Sequence, residues 1–165
     1  MLTVEKIRSF KLKLVSSKEN KISSKDQRIF SKRSSLVMLT AYTYPIASIL
    51  DGKVDMILIG DSGVMVELGK KSTKQATMQD MLFFTGAVAR GAKDTFLIGD
   101  MPIGTYKNSK TAIKNAELFI KKGTNAVKIE GAKTQIVKEL VKNNIPVMGH
   151  LGLCPQSSEK YRVFG

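Results

Sequence analysis

From Leu36 onward, short apolar runs alternate with longer amphipathic ones. Five runs rich in Val, Ile, Leu and Met stand out: Leu36–Tyr42, Val54–Gly60, Thr95–Gly99, Ala126–Ile129 and Ile145–Gly149. They are short and apolar on consecutive residues, which predicts strands buried on both faces, as in a parallel sheet. The segments between them predict helices over Pro45–Leu50, Met78–Arg90, Lys110–Lys122 and Thr134–Asn143. Within the third, Ile113, Ala116, Phe119 and Ile120 recur at helical spacing. Thr77 is placed to cap the second helix, with Asp80 three residues on as a cap-assisting acid. Gly91 and Gly123 fall where helix C-terminal glycines belong. The order β-α-β-α-β-α-β-α-β gives an α/β class with a parallel sheet. An open doubly wound sheet and a closed barrel both satisfy it.

Residues 1–35 break this pattern. They hold ten basic residues, three acidic ones and eight serines, and Ser16–Ser35 is nearly all polar with little periodicity. A flexible arm or insertion is expected, leaving 36–165 as one α/β domain. A basic, Ser-rich, acid-poor leader also fits an organellar transit peptide, which Glu5, Glu19 and Asp26 oppose. The expected location is therefore cytoplasmic, with mitochondrial as the alternative if the arm is a targeting signal.

Composition narrows the function classes. At 165 residues the chain has room for one ordinary domain. No apolar run is long enough to span a membrane, so no membrane partner is expected. One cysteine, Cys154, excludes an internal disulfide and suits a reducing compartment. The net charge of +13 is compatible with nucleic acid. However, the basic residues are 22 Lys against 5 Arg, and Arg is favoured for bidentate phosphate and base contacts. No nucleic-acid partner is expected; a positive field that attracts an anionic small molecule suits the same charge. Neither a dinucleotide-binding Gly-x-Gly-x-x-Gly nor a P-loop is present.

Candidate chemistry lies where the apolar runs stop. Asp61 follows the second run, Asp100 the third and Glu130 the fourth, and His150 closes the fifth. In a parallel βα architecture the C-terminal strand ends share one rim, where active sites collect. Carboxylates far apart in sequence would converge there into a divalent-metal site, for which Mg²⁺ is the natural ion. Gly60-Asp61-Ser62-Gly63 offers backbone N–H groups and Ser62 Oγ to an anion, although alone it marks just a turn. Lys128 and Glu130 are two apart on a strand and point to the same face. They form either a structural ion pair or a substrate-anion ligand beside a metal-site carboxylate. Cys154 has no neighbouring acid or His in sequence to activate it, so a small semi-buried thiol is expected.

Taken together, several ordered blocks resemble the ketopantoate hydroxymethyltransferase family. They are Met38–Pro45, Ile59-Gly60-Asp61-Ser62 with Met65-Val66 and Leu68-Gly69, Ala87–Ala92, Gly99–Pro102, Ala126–Gly131, and Pro146–Leu153 followed by Pro155-Gln156-Ser157. Thr3–Lys11 looks like that family's short leading helix, which makes Leu12–Ser35 look like an insertion. The resemblance implies a (βα)₈ TIM-type barrel, with roughly its first five βα units in this chain. It implies Mg²⁺ held by Asp61 and Asp100, Glu130 in its immediate shell, and Ser62, Lys128 and His150 contacting a keto acid. The implied reaction moves a hydroxymethyl group from 5,10-methylenetetrahydrofolate to 3-methyl-2-oxobutanoate, giving 2-dehydropantoate for pantothenate synthesis. The family's general base would lie beyond Gly165, so no catalytic base is expected within the chain. Association with itself is expected, because a partial barrel leaves open strand edges.

The chain departs from the family's pattern at identifiable places. Gly63-Val64 stands where the family has Leu-Gly, Thr43 replaces an Asp, Phe84 a His and Cys154 a Thr. Two alternatives to the transferase reading follow. One is another Mg²⁺-dependent α-keto-acid enzyme of C–C lyase type on a similar barrel. The other is a non-catalytic remnant or basic binding module.

Overall fold

The computed structural model describes residues 2–15, 35–156 and 163–164. The expected arm or insertion falls largely on residues 16–34, outside the described residues. Within the leader's described part, Val4–Val15 is a helix, α1.

Five parallel strands form one sheet: β1 (Met38–Thr40), β2 (Met56–Ile59), β3 (Phe96–Asp100), β4 (Ala126–Glu130) and β5 (Val147–His150). They are joined by α2 (Tyr44–Leu50), the short α3 (Gly63–Val66), a 3₁₀ turn at Thr73–Gln75, α4 (Met78–Gly91), α5 (Ser109–Lys122) and α6 (Thr134–Lys142). A short antiparallel pair, β6 (Gly152–Leu153) with β7 (Val163–Phe164), follows. The spatial order β1-β2-β3-β4-β5 is the sequence order, with every pairing parallel. A doubly wound sheet reverses direction at a switch point. Here there is no reversal, so the fold is a partial barrel of TIM type: among the described residues, four consecutive βα units and a fifth parallel strand.

The two sheet faces have different partners because strand side chains alternate. Ile57, Ile59, Leu97, Val127 and Ile129 point to the helices, where Ala47, Met81, Phe84, Val88, Ala116, Phe119 and Leu140 complete the main core. The opposite face is graded along the strands. Its lower part is apolar, built from Met56, Phe96, Ile98 and Ala126, and Leu2, Val4 and Ile7 at the start of the chain pack onto it. Further along the same face come Asp100, Lys128, Glu130 and His150, in register as Asp100 beside Lys128 and Glu130 beside His150. The leading helix thus covers the apolar floor and leaves the polar end clear.

Local signals hold these elements in place. Thr77 and Asp80 form a reciprocal capping box on α4: Thr77 Oγ1 accepts from the Asp80 N–H (3.1 Å), and Asp80 Oδ2 accepts from the Thr77 N–H (3.0 Å). Gly123 closes α5 in the left-handed region, at φ 116°. Gly91 acts differently from the expected C-terminal glycine. It is the last residue of α4, and a Cβ there would lie 2.5 Å from the Tyr44 carbonyl oxygen. Its small size lets α4 approach α2, so packing rather than backbone conformation demands it. Asp51 after α2 binds the start of β3: its carboxylate accepts from the N–H groups of Lys93, Asp94 and Thr95 and from Thr95 Oγ1.

Candidate active site

Asp61, Asp100, Lys128, Glu130 and His150 all stand at the C-terminal ends of β2 to β5. The Asp61 N–H points at Asp100 Oδ2 (3.4 Å), and Lys128 Nζ donates to the same oxygen at 2.6 Å. Lys128 is thus an ion-pair partner across strands, to Asp100, while sharing a face with Glu130 as its spacing predicts. His150 lies beside Glu130, with Nδ1 3.6 Å from Oε2, longer than a hydrogen bond. Ser62 follows Asp61, and its hydroxyl is 2.9 Å from that of Tyr42.

The carboxylates of this cluster are buried and close enough to raise one another's pKa. Burial pushes the Asp100 carboxyl up to about 6; Lys128 opposes the shift and the Asp61 charge adds to it. Asp61 is raised as well, chiefly by burial, with Glu130 adding and Gln156 and Lys128 opposing. Lys128 thus acts on both Asp61 and Asp100. Among the described residues Asp100 Oδ1 is buried without a hydrogen-bond partner, although a buried carboxylate oxygen is costly to leave unsatisfied.

Two residues that sequence reasoning gave no role complete the cluster. Gln156, almost fully buried, donates from Nε2 to Asp61 Oδ2 (2.7 Å) and to the Met101 carbonyl (3.2 Å). Its backbone N–H donates to Glu130 Oε1 (2.9 Å), and its Oε1 accepts from the Tyr106 hydroxyl. That hydroxyl in turn accepts from the Glu130 N–H at 3.4 Å. Burial, reinforced by Glu130, Asp100 and Asp61, holds the Tyr106 hydroxyl well above the usual phenol range, so it stays a donor. Both residues lie in irregular segments after β3 and β5, where no periodicity points to them. A cavity of about 330 Å³ opens beside Glu130, Gln156 and Tyr106, with Lys107 and Lys133 in its wall.

Among the described residues, no group of three or more His, Cys, Asp and Glu side chains is placed to hold a metal ion by itself. A small hard cation needs fewer, since one or two carboxylates supplemented by water and substrate oxygens commonly suffice. Asp61 and Asp100 fit that requirement: two buried carboxylates close enough to feel each other's charge, with Asp100 Oδ1 unpaired among the described residues. Beside them, two of the family departures meet. A Cβ on Gly63 would lie 2.7 Å from the Tyr42 ring and 3.1 Å from Phe84. Phe84 and Tyr42 pack with centroids 6.2 Å apart, filling the space next to Ser62.

Comparison with known proteins places this geometry in a lineage. The chain resembles 3-methyl-2-oxobutanoate hydroxymethyltransferase of Ignicoccus hospitalis, 47% identical over 143 residues, covering 82% of this chain and 54% of the relative. It is 43% identical over 136 residues to the enzyme of that name from Pelagibacter ubique, covering 81% and 53%. The chain therefore spans about half the length of the curated relatives it matches. Among solved structures it resembles an oxaloacetate acetylhydrolase (TM-score 0.55, 14% identity, 76% of this chain and 50% of that one). It also resembles 2,3-dimethylmalate lyase, a PEP mutase/isocitrate lyase superfamily member (TM-score 0.55, 16% identity, 76% and 51%). At such identities the likeness is one of fold, and it agrees with a partial barrel. The family model described as ketopantoate hydroxymethyltransferase matches residues 21–165, almost the whole chain and every residue of the cluster above. The chain belongs to the ketopantoate hydroxymethyltransferase family.

Proposed function

We propose that this chain carries the cation- and keto-acid-binding part of an enzyme that transfers a hydroxymethyl group to 3-methyl-2-oxobutanoate, with 5,10-methylenetetrahydrofolate as the one-carbon donor. The observation that carries it is the convergence of Asp61, Asp100, Glu130 and Lys128 at one rim of a family-matched barrel.

Asp61 and Asp100 would hold Mg²⁺, with Glu130 close by. When bound, the ion supplies Lewis-acid polarisation of the keto acid's ketone and so acidifies its C3–H. The chain's own groups do the rest of the binding. Ser62 Oγ and Lys128 Nζ present donors to the substrate carboxylate, and Lys128 keeps Asp100 ionised while doing so. His150, half-exposed at the end of β5, closes the opposite side of the bound molecule. Proton removal from C3 is assigned to no residue of this chain.

Titration calorimetry tests the reading. The keto acid should give heat with Mg²⁺ present and little without it, and Asp100→Asn should remove that heat. Absence of keto-acid binding in saturating Mg²⁺ would count decisively against it. The lyase alternative draws only on fold likeness, and no feature of the rim favours it.

A further inference from the structure

We propose that Gln156, oriented by Tyr106, is a positioning residue for the cation site: it fixes the Asp61 carboxylate so that a defined oxygen is presented to the ion. The inference rests on the cation-binding reading above and goes beyond it to a residue outside the ligand set.

The argument starts from the donor inventory of a primary amide. One end donates twice and the other accepts, so an unrestrained Gln beside a carboxylate can turn either end toward it. Here the choice is forced. The Tyr106 hydroxyl accepts from the Glu130 N–H and therefore spends its own proton on Gln156 Oε1. That leaves Nε2 facing Asp61 Oδ2 and the Met101 carbonyl, both acceptors. Every hydrogen in the relay has one consistent direction, and all its members are buried.

The geometry also locks the rim's spacing. Asp61 follows β2, Met101 follows β3 and Glu130 ends β4, and Gln156 touches all three. Removing its side chain would free the Asp61 carboxylate to rotate, while the backbone bond from Gln156 to Glu130 would survive. The two effects are separable, which makes the role testable. Groups that orient metal-binding side chains typically change metal affinity by about 10–100-fold when removed.

The test is Mg²⁺ titration, with the ion alone as probe, of the 165-residue chain and of Tyr106→Phe and Gln156→Met, alongside thermal melts. Tyr106→Phe keeps the ring and removes only the proton that orients the amide; about tenfold weaker Mg²⁺ binding is expected, with a cooperative melt retained. Gln156→Met keeps the length and removes both hydrogen-bonding ends, and a larger loss, toward about 100-fold, is expected. In ¹⁵N spectra, the side-chain amide of Gln156 is expected to exchange slowly in the unsubstituted chain and fast in Tyr106→Phe. If either folded variant binds Mg²⁺ within about twofold of the unsubstituted chain, the positioning role is overturned while the cation site stands. If the unsubstituted chain binds no Mg²⁺, both readings fall together. Should Gln156→Met not fold, Tyr106→Phe decides alone.

Discussion

Asp100 shows how one side chain's surroundings set a measurable pH dependence. Its carboxyl is raised from 3.8 to about 6, because it is buried and near the Asp61 charge, while Lys128 and the Asp61 N–H compensate only in part. A folded chain that holds this proton to higher pH takes up a proton on folding between those values. Its unfavourable contribution is absent below about pH 4, grows through the window and is complete above about pH 6. Metal-free protein should therefore lose stability relative to Asp100→Asn as pH rises from about 4 to 7, on the order of 3 kcal/mol. Urea denaturation at four pH values reads this directly, and parallel curves for the two proteins would refute it. At this scale the sequence is legible unevenly. The three acids are visible because each interrupts an apolar run. The partner of Lys128 is not, since it depends on which strand lies alongside and in what register. Tyr106 carries no pattern, and Gln156 stands out only as part of the Pro155-Gln156-Ser157 family block, with nothing to say what it would touch. Gly63 and Phe84 are each a departure in isolation, and only their contact shows that one makes room for the other.

Among the secondary-structure elements, the four predicted helices match their expected bounds to within one residue at each end, while four of the five strands start one or two residues into their apolar runs. β1 shows the limit: a seven-residue run yields a strand of three, Met38–Thr40, with all three residues exposed. It pairs on one side only, so hydrogen bonding supports less of it than its composition allows. Close helix–strand contact makes a sharper demand in β3. A Cβ on Gly99 would sit 2.3 Å from Phe119 Cδ1, inside a ring that is fully buried beneath α5. Gly99→Ala should therefore cost about 1–3 kcal/mol through forced repacking. The same exchange at Gly149 in β5 meets nothing within 4 Å and should be nearly neutral. Equal effects in chemical denaturation would show that backbone entropy, not the ring, decides. Asp51 illustrates what pattern reading overlooks. It looks like a turn residue, yet its four accepted bonds pin the entry to β3, across more than forty residues of sequence.

For the molecule as a whole, the sequential parallel sheet leaves β1 and β5 each with one unpaired edge among the described residues. Val37, Met38 and Leu39 are exposed along one of them. Such an edge invites pairing with another chain, resisted here by a net charge of +13. The 165-residue chain is expected to self-associate at micromolar concentration, and more strongly as salt screens that charge. Sedimentation velocity at low and high salt checks this; a monomer under both conditions would refute it. The contact between Gln156 and Asp61 joins positions 95 residues apart in sequence. During synthesis, the first four βα units can emerge and compact while this bond is still unmade. Affinity for the ion should consequently be acquired late, as a final step distinct from collapse. A nascent chain holding only those four units should look folded by circular dichroism and yet grip magnesium about 100-fold more weakly.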